Sequence, residues 1–315
     1  MRLDGCEVER SGAALDRNLP EPLSSHRFGF IFNPRAGRGG QTAIVRAVSQ
    51  RLRDHGHSTA EFEWVDSAAE PAAAALNDRC DVLVACGGDG TVNGVASAVL
   101  GSSAALGILP LGTLNHFAKD LGLSSLAVAE LALISGSERA VDVASLNGRI
   151  FINNSGIGIY PVIVLERDTA RKSGVPRWPA FVWACLKAIA KPPLVRLRLE
   201  ADETHLARVT PFLFVGNNVY RTEGLAVGTR ERLDGGVLGI CTARHHGRLG
   251  IVRMAFRSMA GTIRQDRDFT VLTARRLEVR AAARRIRVSL DGELGHMRPP
   301  LKYEILPGAL KVIAP

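Results

Sequence analysis

The run Val82 to Asn93, VLVACGGDGTVN, puts one carboxylate, one hydroxyl and a glycine cluster on a single short loop. Residues of these types at this spacing could cradle a phosphate. Val82 to Cys86 are apolar, with β-branched Val82 and Val84, the length of a buried parallel strand, and Val92 to Leu100 carry apolar residues at helical spacing. Gly87, Gly88 and Gly90 allow a sharp turn and close approach of the backbone to a ligand. The helix that follows offers unpaired N–H groups and the positive end of its dipole. Asp89 would repel a bare phosphate, so it calls for a metal, a ribose hydroxyl or a positive group in between. That points to a nucleotide with Mg²⁺. The competing reading is a plain strand-to-helix turn, for which Gly-Gly-Asp-Gly is equally good chemistry. No Gly-Lys-Ser/Thr follows and the glycine spacing is not that of a dinucleotide fold, so neither standard nucleotide fingerprint is present.

Two more loops repeat the design. Phe28 to Phe32 form a short strand leading into Asn33-Pro34-Arg35-Ala36-Gly37-Arg38-Gly39-Gly40, and Thr42 to Arg53 then read as an amphipathic helix. Arginines among mobile backbone N–H groups suit the outer phosphates of a nucleotide, or else form a solvated basic loop. Ala105 to Leu109 form another apolar strand that ends in Pro110-Leu111-Gly112-Thr113-Leu114-Asn115, with His116 to Leu121 helical. In an open parallel sheet the carboxyl ends of the strands share one edge, so the three loops should converge on one crevice.

A second cluster lies near the end, at Leu290-Asp291-Gly292-Glu293-Leu294. Arg287 to Leu290 alternate as a strand does, and Asp291-Gly292 is a common hairpin turn. Asp291 and Glu293 share one face if the backbone stays extended, and two such close carboxylates disfavour ionising together, so one pKa should rise. A carboxylate poised this way can take the proton of a hydroxyl attacking a γ-phosphate.

These residues need a scaffold, and the patterning supplies one. Residues 1–25 read as a loose tail. Residues 26–146 alternate strands near Phe28, Ala60, Val82, Leu106 and Val141 with helices near Thr42, Ala72, Val92 and Leu126, which predicts an α/β domain with a parallel sheet. Residues 147–315 change character, with strand-like segments at Leu194 to Ala201, Arg208 to Val215, Val237 to Thr242, Phe269 to Leu272, Arg276 to Arg280 and Ile286 to Leu290. A mainly antiparallel β domain follows from that pattern. A chain of 315 residues, 46% of them hydrophobic, is long enough to bury two such cores.

Cys6, Cys80, Cys86, Cys185 and Cys241 are scattered without paired spacing, which fits reduced thiols; Cys86 is expected to be a packing residue. The start lacks the basic and apolar regions of a secretory signal, and no apolar run is long enough to span a bilayer, so a cytoplasmic or inner-face peripheral protein is expected. The net charge of +9 concentrates in Arg171 to Lys191, with Trp178, Phe181 and Trp183, and in Arg244 to Arg264, with Ile251, Met254, Phe256, Met259 and Ile263. Either stretch could lie on an anionic membrane surface, or pack its apolar side on the β domain and leave a solvated basic side. No nucleic-acid motif accompanies the charge, and nucleic acid is not expected as a partner.

Taken in order, NPRAGRG, CGGDGTVN, PLGTLNHFAKDLGL and LDGEL resemble the lipid kinase superfamily of diacylglycerol, sphingosine and ceramide kinases and bacterial diacylglycerol-kinase-like proteins. GGDGT alone is shared with NAD kinases and phosphofructokinases; the PLGTLNHFAKDLGL block is more particular to the lipid kinases. The resemblance runs from about Arg27 to the end. It implies that Asn33, Gly37 and Gly39 line the phosphate region, that Gly87, Gly88, Asp89, Gly90 and Thr91 with Asn93 hold the nucleotide, and that Gly112, Thr113 and Asn115 complete the pocket. It assigns the base role to Glu293, with Asp291 as its partner. The implied activity is ATP-dependent transfer, with Mg²⁺, to a hydroxyl of diacylglycerol or a related lipid. The alternatives are a soluble-substrate kinase of the NAD kinase type, or a non-catalytic nucleotide- or lipid-binding regulator.

Three departures qualify the match. The segment Asn153 to Tyr160, NNSGIGIY, carries no acid where many relatives place one for the lipid head, which disfavours an amino-alcohol such as sphingosine; the next acid is Glu166. Related kinases often supply a structural metal site with Leu-Asp-Asp-Gly-x-Leu-Asp, whereas Leu233 to Gly239 read LDGGVLG; Asp234 is then a hairpin residue, and no structural Mg²⁺ is expected there. Trp64-Val65-Asp66-Ser67 offers a serine where relatives often offer a threonine to the nucleotide.

Overall fold

The computed structural model describes residues 25–35, 40–64, 67–159, 161, 194–221, 229–243 and 269–315. Gly37, Gly39, Glu166, most of the N-terminal tail and both basic, apolar stretches lie outside the described residues.

The first half alternates as its apolar periodicity requires. Its order is β1 (Arg27–Phe32), α1 (Gln41–Asp54), β2 (Ser58–Glu63), α2 (Ala69–Asn77), β3 (Val82–Gly87) and α3 (Asp89–Val99). Then come β4 (Ala105–Pro110), α4 (His116–Asp120), α5 (Leu126–Ser135) and β5 (Ser137–Leu146). The second half holds β6 (Arg149–Phe151), β7 (Asn154–Gly158), β8 (Val195–Ala201), β9 (Thr204–Thr210), β10 (Phe212–Asn217) and β11 (Leu238–Ala243). It ends with β12 (Phe269–Ala274), β13 (Arg276–Ala281), β14 (Ile286–Leu290), β15 (Glu293–Met297) and β16 (Leu301–Ala314).

β2, β1, β3 and β4 pair in parallel in that order, so β1, β3 and β4 present their carboxyl ends along one edge. All six residues of β3 are buried, as expected of a parallel strand covered by helices on both faces. Two features depart from the sequence reading, and one strand lies outside it. The strand near Val141 is not part of the parallel set: β5 runs antiparallel to β16. The segment Arg208 to Val215 is not one strand. Pro211 has no N–H to donate to a ladder, and it divides β9 in one sheet from β10 in the other. The strand that the sequence reading does not name is β16, which continues through Pro307-Gly308, a pair that normally punctuates chains as a turn. Here the pair makes a register shift between Leu306 and Leu310, with Gly308 at φ +61° donating its N–H to Asp142 Oδ1 at 2.8 Å.

β16 joins the halves. Its last residues run parallel to β4, and Leu310, Val312, Ile313 and Ala314 bury into the α/β core beside Phe28, Phe30 and Leu106. Its first residues pair with β13, and Leu301, Tyr303 and Ile305 bury in the second core with Phe151, Leu199 and Val288. The second sheet, in the order β12, β11, β10, β7, β14, β15, is antiparallel throughout. It carries the β14–β15 hairpin toward the edge where β3 and β4 end.

Candidate active site

The loops after β3 and β4 meet backbone to backbone. A Cβ on Gly112 would lie 2.3 Å from Gly88 Cα and 2.6 Å from Asn115 Oδ1, so the two loops touch because Gly112 carries no side chain, while a Cβ on Gly88 would stand a tight 3.3 Å from Gly112 Cα. At Gly87 the obstacle is Thr91, whose Oγ1 would stand 2.4 Å from an added Cβ. These glycines serve close packing, while at Gly90 an added Cβ would meet only Glu293 Oε1, at 3.9 Å. Gly112→Ala is therefore expected to force the loops apart at a cost of about 1–3 kcal/mol, seen as a melting temperature lower by several degrees. An unchanged melting curve would show that the loops separate freely.

The start of α3 carries no side-chain cap: Gly88 precedes it in an extended conformation, which leaves the first-turn N–H groups without a side-chain acceptor. Asp89 is turned away from that helix start. Its two oxygens accept from the backbone N–H of Phe117 at 3.1 Å and of His116 at 3.2 Å, capping α4. A longer contact of 3.4 Å comes from Asn153 Nδ2. The acid that sequence reading assigns to a nucleotide thus ties one glycine loop to the other. Asn115, left-handed at φ 49°, donates its Nδ2 to the carbonyls of Pro110 (3.1 Å) and Gly112 (3.0 Å), while its Oδ1 is buried without a partner. Thr113 is exposed on the same loop. In the loop after β1, Asn33 Oδ1 accepts from the backbone N–H of Arg35 at 2.8 Å. Ser67 Oγ accepts from Ala69 N–H at 3.2 Å, at the start of α2.

Asp291 and Glu293 occupy unlike environments, contrary to the expectation of one extended, mutually repelling pair. Asp291 (φ 47°) and Gly292 (φ 87°) form a two-residue turn joining paired Leu290 and Glu293, as the hairpin reading has it. Asp291 points inward, where Oδ1 accepts from Asn153 N–H at 2.8 Å and Asn154 N–H at 2.9 Å. Its Oδ2 accepts from Ile152 N–H at 2.8 Å and from Asn93 Nδ2 at 2.9 Å. Burial pushes its carboxyl up to about 6, against the pull of the three backbone donors and of the Arg230 charge, which favour the ionised form. The rise comes from burial and not from Glu293. Glu293 is exposed, and its Oε1 lies 3.9 Å from where a Cβ on Gly90 would stand. Among the described residues no hydrogen bond or ion pair engages its side chain. One acid is an anchor and the other is a free carboxylate facing the uncapped helix start.

Asn93 links these parts, since it sits on α3 and donates to Asp291 across 198 residues of sequence. Sequence reasoning missed the other half of the network: the backbone of Ile152 to Asn154, the Asn153 carboxamide, Asn217 and Arg230. Their one signal in the sequence is the Asn153-Asn154 pair ahead of the Gly-x-Gly segment. Asp234 is exposed in the bend leading to β11 and accepts from Arg232 Nε at 3.0 Å, which holds its carboxyl below the usual range. The buried acid beside it is Asp142, accepting from Gly236 N–H at 2.6 Å. Cys86 is buried at the end of β3, and burial raises its thiol well above the ordinary range. Among the described residues no helix is long and apolar enough to cross a membrane.

Comparison with known proteins bears on the same two halves. A family model described as "Diacylglycerol kinase catalytic domain" matches residues 27–146, and one described as "YegS C-terminal NAD kinase beta sandwich-like domain" matches residues 165–314. A Bacillus subtilis (strain 168) protein named "Diacylglycerol kinase" is 27% identical over 280 residues, covering 85% of this chain and 90% of that one. A Pseudomonas aeruginosa (strain UCBPP-PA14) protein named "Probable lipid kinase YegS-like" is 30% identical over 289 residues, covering 89% and 92%. The crystal structure of a diacylglycerol kinase from Bacillus anthracis str. Sterne superposes with a TM-score of 0.67 at 20% identity over 92% of this chain and 97% of that one, a likeness of fold. Matched along nearly its whole described length, this chain is a kinase of the diacylglycerol kinase-like lipid kinase family.

Proposed function

We propose that this protein transfers the γ-phosphate of ATP to a hydroxyl of diacylglycerol or a related glycerolipid, with Glu293 as general base. The observation that carries this reading is the placement of Glu293, an exposed and unengaged carboxylate facing Gly90 at the uncapped start of α3. A phosphate held by that helix start would lie beside a carboxylate that has no partner among the described residues and can take a proton from an incoming hydroxyl.

The surroundings fit a nucleotide. The Gly88–Gly112 contact keeps two loops close without side chains between them, and Asn115 Oδ1 is a buried acceptor in want of a donor such as a nucleotide hydroxyl or amino group. Asn33, Gly37 and Gly39 would border the outer phosphates. Magnesium binds through phosphates, waters and one or two carboxylates, so it would enter with the triphosphate and neutralise charge on the transferring group. The chain's own residues then do four things. The α3 N–H groups orient the phosphate, Asp89 holds the two glycine loops together, Asp291 holds the hairpin, and Glu293 accepts the proton.

Transfer of labelled γ-phosphate from ATP to a panel of lipids in mixed micelles, with NAD as a soluble control, tests the reading. Label is expected in diacylglycerol, with turnover rising when anionic vesicles replace neutral ones. Label in NAD alone would move the acceptor to a soluble compound. Labelling of an amino-alcohol lipid in preference to a glycerolipid would overturn the choice of acceptor.

A further inference from the structure

Arg230 belongs to none of the motifs above, and yet its side chain is the most completely enclosed charge at the site, at 0% exposure opposite Asp120 at 8%. Four oxygens converge on its guanidinium. Nε donates to Asp120 Oδ2 at 2.8 Å, Nη2 to Asn153 Oδ1 at 2.9 Å, and Nη1 to the carbonyls of Ile152 at 2.7 Å and Asn217 at 3.1 Å. The rings of Phe117 and Tyr220 lie 5.7 and 5.2 Å from Cζ. A buried cation is costly unless it is paired and fully hydrogen-bonded, and this one is bound as an oxygen cage would bind a metal ion. The planar fork of arginine can reach all four acceptors at once, which a lysine cannot.

The identity of those acceptors gives the cation a task. The carbonyl of Ile152 and the N–H of Asn153 belong to one peptide group. Its oxygen faces the Arg230 guanidinium, and its N–H donates to Asp291. The peptide is thus held between a fixed cation and a fixed anion, an arrangement in which each hydrogen bond polarises the next. The Asn153 carboxamide continues the link, accepting from Arg230 and donating to Asp89 in the glycine loop. Asp120 ends α4, the helix whose start Asp89 caps. Arg230 therefore touches, through one residue each, the hairpin that carries Glu293 and the loop that precedes α3.

We propose that Arg230 is a positioning residue that sets the distance between the Glu293 hairpin and the glycine-rich loop, by clamping residues 152–154 from the side opposite Asp291. Without the guanidinium, the Ile152 carbonyl keeps only Asn217 Nδ2 and the Asn153 side chain loses its acceptor-side partner. The peptides that hold Asp291 can then turn, and Glu293 drifts from Gly90. Misplacement of a reacting group by about 1 Å costs on the order of 10²-fold in rate. The rate consequence rests on the base role proposed above for Glu293.

The test pairs activity with a readout that does not need it. In full-length Arg230→Lys, kcat is expected to fall by about tenfold or more with KM for ATP unchanged. Amide hydrogen exchange is expected to quicken at 152–154 and 290–293. In Arg230→Ala, millimolar guanidinium is expected to restore part of kcat where equal urea does not. Wild-type kcat in Arg230→Lys, unchanged exchange at 152–154, or a kcat loss matched by a rise in ATP KM would each overturn the proposal. If wild-type protein transfers no phosphate, the base assignment fails separately, and exchange alone decides whether Arg230 clamps the segment. Should Arg230→Lys not fold, Asp120→Asn leaves three acceptors in place and the same exchange and kcat comparison applies.

Discussion

Glu293→Gln is expected to lower kcat by about 10²–10⁴-fold, the usual contribution of a general base, while KM for ATP and the melting temperature stay as in wild type. The split follows from where the side chain stands. Glu293 is exposed and makes no hydrogen bond or ion pair among the described residues, so an isosteric amide removes the proton acceptor and little else. Asp291 cannot take over. Its two oxygens already receive four N–H groups, whereas those of Glu293 receive none among the described residues. Steady-state kinetics with a saturating lipid acceptor, alongside thermal melts, check the result. Near-wild-type turnover in Glu293→Gln would sink the base assignment, and a matched collapse of stability would show that the residue is structural. Glu293→Asp separates reach from charge: the carboxylate survives about one methylene farther back, and an intermediate kcat is expected.

The parts of this picture that were legible in the sequence are those that depend on local pattern. The apolar runs at Val82 and Leu106 are of strand length and each is followed by a glycine loop, and they form β3 and β4 with their ends adjacent. Asp291-Gly292 was readable as a turn because its backbone preference is intrinsic. What escaped depends on distant partners. Pro307-Gly308 reads locally as a break, and only the Asp142 carboxylate, 166 residues away in sequence, holds it inside a strand. The resemblance already gives the base role to Glu293, but the unlike surroundings of the two acids escaped for the same reason. Spacing makes them equivalent, and the difference is created by the backbone of Ile152 to Asn154, which nothing in the Leu290 to Leu294 segment announces. Arg230 shows the limit most plainly, since an arginine in an arginine-rich chain carries no signal until its acceptors are assembled around it.

Asp291→Asn should be the more damaging substitution of the acid pair for the fold. An amide keeps one oxygen, which satisfies two donors, and turns an NH₂ group toward the other two. Buried donors left facing a donor cost about 1–3 kcal/mol each, so a loss of about 2–6 kcal/mol and a kcat lowered through displacement of Glu293 are expected together. The substitution also exposes a conflict between two forces on the wild-type acid. Burial favours the neutral carboxyl and the donors favour the charged one, with burial prevailing to bring the carboxyl to about 6. A carboxyl raised from 3.8 to about 6 on folding makes the native state the better proton binder across that window. Its contribution to stability is therefore complete below about pH 4 and is lost as the pH rises through 6. Urea unfolding of wild type and Asp291→Asn at matched pH values reads this directly, because subtracting the two removes every other titrating group. The wild-type advantage is expected to shrink between pH 4 and 7. An advantage that grows over the same window would mean that the four N–H donors outweigh burial, and that the anchor is a carboxylate held ionised well below neutrality.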